Sequence, residues 1–277
     1  MNIDQIISEA LHEDIGNGDH TSLSTIPNES IGKAQLLVKE DGVLAGVEIA
    51  QKVFMKVDPE IQINILINDG SHIKKGDIIF VVEGRSISIV MAERLALNFM
   101  QRMSGIATAT NKMVSKLQGL NCKVLDTRKT TPLLRELEKM AVRLGGGDNH
   151  RMGLYDMILI KDNHIDFAGG IKNAIYSTKE YLNKHKLNIK IEIEARNLNE
   201  VKEIISVGGI DRIMLDNFSY PELRKTVQMI NGKYETEASG GITLDTVLEY
   251  AKCGVDFVSV GSLTHHINSI DMSLKAV

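Results

Sequence analysis

The chain has no tryptophan, only two cysteines and only 4% aromatic residues among its 277 positions. Cys122 and Cys253 are too few for a disulfide framework or a four-cysteine zinc site. The shortage of aromatic rings argues against a stacking platform for single-stranded nucleic acid. Basic residues are not in surplus either, since 32 Lys and Arg stand against 36 Asp and Glu, a net charge of −4. That balance argues against general binding to nucleic acids or to anionic membranes.

Long apolar runs are also missing. The aliphatic stretch 78–82 is far shorter than the roughly 20 residues of a membrane-spanning helix. At the N-terminus, Asp4 and Glu9 interrupt what would be the apolar part of a signal peptide. The apolar residues there fall instead at the spacing of an amphipathic helix: Ile3, Ile6, Ile7, Ala10 and Leu11. We therefore expect a cytoplasmic protein with no membrane partner.

The first third of the chain has the pattern of a β-rich domain. Four strands are predicted, separated by turn signals: Gln35–Lys39, Gly42–Ala45, Ile61–Leu66 and Ile78–Glu83. Residues 68–84 resemble the half-repeat of lipoyl and biotinyl carrier domains, which suggests a hammerhead-like sheet without a clear counterpart of the modified lysine. Residues 90–117 then predict one or two helices, with a break at Gly105.

The rest of the chain alternates short aliphatic strands with helical patterns. Six strands are predicted: Lys123–Thr127, Met157–Lys161, Ile189–Glu194, Arg212–Asp216, Thr236–Ser239 and Phe257–Val260. Successive units of this kind predict a parallel sheet, closed or nearly closed into an α/β barrel and surrounded by helices. An open doubly wound sheet is the alternative, because periodicity alone does not separate the two.

Polar residues stand at the end of every strand in this series. Since catalytic residues of α/β barrels lie at the carboxyl ends of the strands, these positions are candidate site residues. They include Asp126, Arg128 and Lys129, then Lys161 to His164, Glu192 and Glu194, Asp216 and Asn217, Ser239 to Gly241, and Gly261 with Ser262.

The last two strand ends predict a phosphate site. Ser239-Gly240-Gly241 and Gly261-Ser262 place glycine directly after a strand, where backbone N–H groups can approach an anion. Barrels commonly bind phosphate at this position. Neither a P-loop nor a strand-anchored G-x-G-x-x-G motif occurs, which argues against a P-loop NTPase or a Rossmann dehydrogenase.

Cationic residues cluster in one stretch of this acidic protein: Arg128, Lys129, Arg135, Arg143, His150, Arg151 and Lys161. Such a cluster suits a ligand with several negative charges. We expect Lys139, at helical spacing from Arg135, to belong to a solvated helix face. The loop 145–147 has three consecutive glycines and is expected to present His150 and Arg151.

Two carboxylates, Glu194 and Asp216, fall between the cationic strands and the glycine loops. Carboxylates near a phosphate repel it unless a cation bridges them or they accept hydrogen bonds from sugar hydroxyls. Both arrangements suit a Mg²⁺-bound sugar phosphate. The sequence therefore predicts a cationic pocket for carboxylates beside a glycine and carboxylate pocket for a phosphorylated sugar.

Several long motifs closely resemble the quinolinate phosphoribosyltransferase family. They are the runs 126–132, 138–142, 145–151 and 159–164, with shorter matches at 13–16, 93–94, 104–108, 215–218 and 238–242. The resemblance therefore covers essentially the whole chain. Leu133 stands where the family commonly has glycine, and Met140 where tyrosine is frequent; neither position carries site chemistry.

The resemblance implies a role for each candidate residue. Quinolinate would be bound by Arg128, His150, Arg151 and Lys161, with Arg94 entering the same pocket from a partner subunit. The phosphoribosyl pyrophosphate (PRPP) would be held by Lys129, Glu194 and Asp216, and its 5′-phosphate by Ser239, Gly240, Gly241, Gly261 and Ser262. Mg²⁺ would be bound mainly through PRPP, with Glu194 and Asp216 as candidate ligands. Lys129, Lys161, Glu194 and Asp216 are the residues expected to act in catalysis.

The implied reaction is the PRPP-dependent, decarboxylating conversion of quinolinate to nicotinate mononucleotide, pyrophosphate and CO₂ in de novo NAD biosynthesis. The implied fold is an N-terminal hammerhead-like open α/β sandwich, residues 1–110 joined by the segment 265–277, and an incomplete TIM-like barrel over 111–264. A homodimer with a shared active site is expected, and further assembly of dimers is left open.

Three rival interpretations remain at this point. A molybdenum-transport-associated relative shares the fold but typically departs from the intact run 159–164. A Schiff-base lyase could use Lys161 as its amine, although the neighbouring Arg and His residues do not suit it. A metabolite-binding or carrier protein built on the hammerhead-like sheet would leave the polar strand ends unexplained.

Overall fold

The computed structural model of the protein describes residues 2–277, which form two compact units. The first unit contains residues 2–111, 130–146 and 263–277, and the second contains residues 112–129 and 147–262. The domain boundaries expected from the sequence stay a prediction.

Helices and strands follow one another along the whole described chain. The first part contains α1 (Ile3–Ile15), α2 (His20–Thr25), β1 (Ile31–Val38), β2 (Gly42–Val43), α3 (Val47–Val57), β3 (Gln62–Ile65), β4 (His72–Ile73), β5 (Ile78–Arg85), α4 (Ser86–Lys116) and β6 (Lys123–Leu125). The second part contains α5 (Arg135–Leu144), β7 (Ile158–Ile160), α6 (Asp162–Phe167), α7 (Ile171–His185), β8 (Ile191–Ala195), α8 (Leu198–Val207), β9 (Arg212–Asp216), α9 (Tyr220–Ile230), β10 (Glu235–Ser239), α10 (Val247–Ala251), β11 (Phe257–Ser259), α11 (Ser262–His265) and β12 (Met272–Ala276).

An antiparallel sheet in the order β12-β1-β5-β3 carries the first unit. Strand β1 pairs with β5 on one side and with the C-terminal strand β12 on the other, where Ala34 lies opposite Ala276. The buried residues of β1 alternate, as expected for a strand with one face on the core. The four strands predicted in this region are confirmed, whereas the two-residue strand β4, which pairs with β2, has no sequence signal.

The opening helix α1 forms where the sequence predicts it. The side chain of Asn2 accepts the backbone N–H of Gln5, and the side chain of Gln5 accepts the backbone N–H of Asn2. This reciprocal capping satisfies two backbone donors that have no partner inside the helix. Ile6, Ile7 and Leu11 are buried and join α1 to the core of the first unit.

Helix α4 is continuous over 31 residues, so the predicted break at Gly105 is wrong. A Cβ at this position would lie 2.3 Å from the carbonyl oxygen of Asn268. Glycine is required because the backbone of the segment 268–269 packs directly on the helix, and no bend is needed. Within residues 2–277, neither α4 nor any other helix combines the length and the apolar character needed to cross a membrane.

Helix α5 buries two charged residues, Glu138 and Lys139, each of which is 1% exposed. The prediction that Lys139 belongs to a solvated face is therefore wrong. At about 100° per residue, the buried positions from Leu137 to Val142 cover an arc of about 200° of the helix. That arc is wider than the apolar stripe and includes position 139.

The second unit is built on six parallel strands in the order β6-β11-β10-β9-β8-β7. The five strand pairs of this sheet each join two neighbours in this order. Among the described residues, the two outer strands β6 and β7 do not pair with each other. This is the order of a barrel with one open seam, so the incomplete barrel is confirmed and the doubly wound alternative is wrong. All six strands lie within two residues of their predicted bounds.

Candidate active site

A loop before β7 is fixed against the end of β6 by Asp126. The fully buried carboxylate of Asp126 accepts the backbone N–H of His150 at 2.8 Å and the side-chain amide of Asn149 at 2.6 Å. Asp148 forms a parallel bridge with Leu125, the last residue of β6. These bonds determine where the loop presents His150 and the residue that follows it.

The imidazole of His150 lies inside the barrel between two buried carboxylates. Its Nε2 is 2.9 Å from Oε2 of Glu192 and 3.6 Å from Oε2 of Glu237, and both glutamates are fully buried. Its Nδ1 accepts the backbone N–H of Arg151 at 2.7 Å. The ring is therefore oriented by the hydrogen bond at Nδ1 and by the two carboxylates that face Nε2.

Burial raises the pKa of both carboxyl groups. Desolvation raises the pKa of Glu192 to about 7 and that of Glu237 to about 7, while Arg212 opposes the shift in both. Arg212 Nη1 lies 2.9 Å from Oε2 of Glu237. The set His150, Glu192 and Glu237 resembles a metal-ligand group in composition. Because the Arg212 cation already pairs with Glu237, this cluster is better suited to holding His150 than to binding a metal.

Arg128 and Arg151 form the cationic side of the site. Arg128 is exposed shortly after β6, whereas Arg151 is 9% exposed and donates from Nη1 to the carbonyl oxygen of Met157 at 3.2 Å. Burial lowers the pKa of Arg151, and the positive charge of Arg128 lowers it further. Two like charges close enough to affect each other form an arrangement that an anion would stabilise.

Lys161 and Glu194 form an ion pair at the ends of β7 and β8. Lys161 Nζ lies 3.8 Å from Oε2 of Glu194. Burial raises the pKa of Glu194, Lys161 lowers it, and Asp216 raises it again. The sequence-predicted residues Lys161, Glu194 and Asp216 are thus brought together on adjacent strand ends.

The end of β10 is held against the end of β9. Oδ1 of Asp216 accepts the hydroxyl of Ser239 at 2.6 Å, and Oδ2 accepts the side-chain amide of Asn217 at 2.6 Å. Gly240 has φ +98°, and a Cβ there would lie 2.1 Å from Oδ1 of Asn217. Only glycine fits this turn, because of the positive φ and of the space that Asn217 already fills.

Of the other residues predicted for the site, three follow strands of the parallel sheet and one, Arg94, does not. Gly261 and Ser262 follow β11, which pairs with β10, and so lie beyond the neighbouring strand end. Lys129 is exposed four residues after β6. Arg94 is an exposed residue of α4 in the first unit and is not part of the group described above.

The carboxylates at this edge have the donor chemistry that Mg²⁺ prefers. Glu194 and Asp216 offer carboxylate oxygens, which are suitable ligands for a hard cation that keeps other positions for phosphate oxygens and water. The residues present therefore fit a Mg²⁺ ion that arrives with a phosphorylated ligand.

Two residues of the barrel interior, Arg212 and Glu237, were not predicted as site residues, and Glu192 was predicted as a candidate but not as a partner of His150. The signal in the sequence is charge at alternate positions of β8 and of β10, together with Arg212 at the start of β9 between them. Alternate residues of a barrel strand face the interior, so this pattern indicates a buried polar network beneath the strand ends.

Comparisons with known proteins agree with this geometry. The family profile described as quinolinate phosphoribosyl transferase, N-terminal domain, matches residues 19–104, and the C-terminal domain profile matches residues 106–275. The chain is 44% identical to a mitochondrial quinolinate phosphoribosyltransferase (decarboxylating) of Nicotiana tabacum, over 98% of this chain and 81% of that protein. It is 47% identical, with the same coverage, to the chloroplastic nicotinate-nucleotide pyrophosphorylase (carboxylating) of Arabidopsis thaliana.

A solved structure shares the fold of this chain over nearly its whole length. The nicotinate-nucleotide pyrophosphorylase from Francisella tularensis superposes with a TM-score of 0.94 and 40% identity, covering 99% of this chain and 96% of that one. With both family profiles matched over most of the chain, the protein belongs to the quinolinate phosphoribosyltransferase family.

Proposed function

We propose that the protein transfers the phosphoribosyl group of PRPP to the ring nitrogen of quinolinate and releases pyrophosphate and CO₂, giving nicotinate mononucleotide for de novo NAD biosynthesis. One observation carries this proposal: the cations Arg128 and Arg151, close enough for the charge of one to affect the other, lie in the same unit as the Lys161, Glu194 and Asp216 strand ends. The names of the relatives describe the same reaction for those proteins.

The cationic residues are suited to the two carboxylates of quinolinate. Arg128, Arg151 and Lys161 supply the positive charge, and the buried His150 is hydrogen-bonded to the backbone of Arg151. Arginine binds carboxylates in bidentate geometry, so two arginines can fix the plane of the pyridine ring. Orienting the ring in this way points its nitrogen at the second substrate.

The other strand ends are suited to PRPP. Glu194 and Asp216 would hold the ribose and the Mg²⁺ that PRPP brings, Lys129 would face the pyrophosphate, and the loops 239–241 and 261–262 would bind the 5′-phosphate. When bound, Mg²⁺ supplies positive charge to the departing pyrophosphate. Chelation with EDTA should stop product formation, and added Mg²⁺ should restore it.

The residues of the chain act mainly by position and charge. The lone pair of the pyridine nitrogen forms a bond to the anomeric carbon while pyrophosphate leaves with the electron pair of the bond that breaks. The bond between C2 and its carboxylate then breaks, CO₂ leaves, and the electron pair stays on C2 as a carbanion that the adjacent positive nitrogen stabilises. C2 then takes up a proton from solvent. Lys129 stabilises the leaving charge, and Glu194 and Asp216 stabilise the positive charge that develops on the ribose. No general base is required.

A single assay tests the reaction. The protein is incubated with quinolinate, PRPP and Mg²⁺, and nicotinate mononucleotide, pyrophosphate and CO₂ are measured. Equal amounts of the three products support the proposal. Absence of all three, together with borohydride trapping of a carbonyl compound on Lys161, would instead favour the lyase alternative.

We further propose that the active protein is a homodimer in which Arg94 completes the site of the partner subunit. Arg94→Ala and Lys161→Ala variants should each be inactive when pure. A mixture that exchanges subunits should regain about a quarter of wild-type activity, because half of the dimers then contain one intact site out of two. A mixture that stays inactive while mass spectrometry shows mixed dimers would overturn the shared site.

We also propose a cytoplasmic location for this reaction. Cell fractionation followed by the product assay should recover the activity in the cytoplasmic fraction, and recovery in an organelle or membrane fraction would contradict the proposal.

A further inference from the structure

We propose that Arg102 and Glu138, in the first unit, are positioning residues. Together they bind two segments, at Thr131 and Thr264, that continue directly from the proposed PRPP loops. The inference rests on the proposed function of Lys129, Gly261 and Ser262. It concerns residues to which neither the family resemblance nor the site geometry assigns a role.

The core of the arrangement is an ion pair between a buried carboxylate and a half-buried guanidinium. Nε and Nη2 of Arg102, on α4, donate to Oε1 of Glu138, on α5, at 3.0 and 2.6 Å. Glu138 is 1% exposed, and the side chain of Arg102 is 31% exposed. A buried carboxylate without a partner would lower the stability of the fold, so this contact should hold the side chains of Arg102 and Glu138 in one geometry.

The pair holds the segment that follows Lys129. Nη2 of Arg102 donates to the hydroxyl of Thr131 at 2.7 Å, and the backbone N–H of Thr131 donates to Oε2 of Glu138 at 3.1 Å. Thr131 is thus bound through both its side chain and its backbone. It lies only two residues after Lys129, so its position limits where Lys129 can be.

The same guanidinium holds the segment that follows the second glycine loop. Nη2 of Arg102 also donates to the carbonyl oxygen of Thr264 at 3.1 Å. Thr264 lies two residues after Ser262 and three after Gly261. One arginine therefore binds the chain just after each of two loops that are assigned to the same substrate.

Loss of the Arg102–Glu138 ion pair should affect the binding of PRPP more than the binding of quinolinate. Two PRPP loops continue directly into the bound segments, whereas of the residues assigned to quinolinate in the second unit only Arg128 lies on the same stretch, three residues before Thr131; His150, Arg151 and Lys161 lie elsewhere in the chain. Loss of the ion pair should therefore weaken the binding of PRPP and leave most of the quinolinate pocket intact.

The test compares Glu138→Gln with the matched control Glu136→Gln, an exposed residue of the same helix. Glu138→Gln should raise the KM for PRPP at least about tenfold, as expected when a buried charged hydrogen bond is lost, and should change the KM for quinolinate less than about threefold. Glu136→Gln should change neither. An equal rise in both KM values, or a loss of kcat alone, would overturn the proposal.

A milder variant covers the case in which Glu138→Gln does not fold. Thr131→Val keeps the shape of the side chain and removes the hydroxyl that accepts from Arg102. It should raise the KM for PRPP several-fold with the KM for quinolinate unchanged, and an unchanged KM for PRPP in this folded variant would overturn the proposal.

A binding measurement separates this inference from the proposed reaction. Calorimetry with ribose 5-phosphate reports on the phosphate loops without turnover. Weaker binding to Glu138→Gln than to Glu136→Gln supports the positioning role even if the wild-type protein makes no nicotinate mononucleotide. Equal binding to both variants contradicts it.

Discussion

Nε2 of His150 lies 2.9 Å from Oε2 of Glu192, inside the barrel and out of contact with water. The other ring nitrogen of His150 accepts the backbone N–H of Arg151, the buried cation of the proposed quinolinate pocket. The position of Arg151 therefore depends on a carboxylate that lies one layer deeper in the barrel. This relationship links the buried polar network to the chemistry at the strand ends.

The first prediction concerns Glu192. Glu192→Gln removes the charge that faces His150 and should raise the KM for quinolinate about tenfold, with little change in the KM for PRPP, because the loss of one buried charge contact acts through the carboxylate pocket. Steady-state kinetics with each substrate varied in turn measures the effect. Glu235→Gln is the matched control, since Glu235 pairs with Arg212 and its side chain is 39% exposed. An unchanged KM for quinolinate in Glu192→Gln would contradict the link.

The second prediction concerns the pH dependence of stability. Burial raises the pKa of Glu237 from its ordinary value of 4.5 to about 7. Between these values the folded chain binds more protons than the unfolded chain, so the free energy of unfolding decreases as pH rises through this window and levels off above it. The contribution is at most about 1.4 kcal/mol per pH unit for this carboxyl.

Glu237→Gln isolates this contribution. Urea unfolding of the wild type and the variant at several values from pH 4.5 to 8 should show a weaker decrease in the variant. Parallel pH dependence in the two proteins would show that Glu237 titrates at the same pH in the folded and unfolded chains.

The third prediction concerns Leu133, which has φ +66° and is 68% exposed. The left-handed conformation costs a branched residue about 1–2 kcal/mol, more than the roughly 0.4–1 kcal/mol of chain entropy that glycine adds to the unfolded state. Leu133→Gly should therefore raise the free energy of unfolding by up to about 1 kcal/mol. Leu134→Gly, at φ −91°, should lower it instead. A destabilised Leu133→Gly variant would show that the side chain contributes more than its exposure indicates.

The fourth prediction concerns the turn after β10. Gly240→Ala places a methyl group against Asn217 and should raise the KM for PRPP at least about tenfold, because the turn must shift away from Asp216 and Ser239. Gly232→Ala is the control, since a Cβ there has no atom within 4 Å and meets only the strain of φ +70°. If the two variants raise the KM for PRPP equally, close packing on Asn217 is not what the site requires.

Local patterns were sufficient to predict most of the second unit. The strand Arg212–Asp216 has its predicted bounds because parallel strands buried on both faces read as short apolar runs between polar ends. The candidate residues Lys161, Glu194, Asp216 and Ser239 meet for the same reason, since the carboxyl ends of parallel strands share one edge.

Long-range packing explains what the sequence did not predict. Gly105 is required by a segment more than 160 residues away, so its local pattern resembles a helix break. Lys139 lies on a buried arc that depends on what packs against α5, and Glu138 is buried because Arg102 approaches it. Contacts of this kind are set by tertiary structure and leave no signal in the spacing of apolar residues.

The position from which CO₂ is lost tests the central claim most directly. Quinolinate labelled with ¹³C in either the 2-carboxylate or the 3-carboxylate is incubated with the protein and Mg²⁺, with and without PRPP. We expect labelled CO₂ from the 2-carboxylate alone, only when PRPP is present, and in equal amount to nicotinate mononucleotide. Label released without PRPP, or from the 3-carboxylate, would contradict the account.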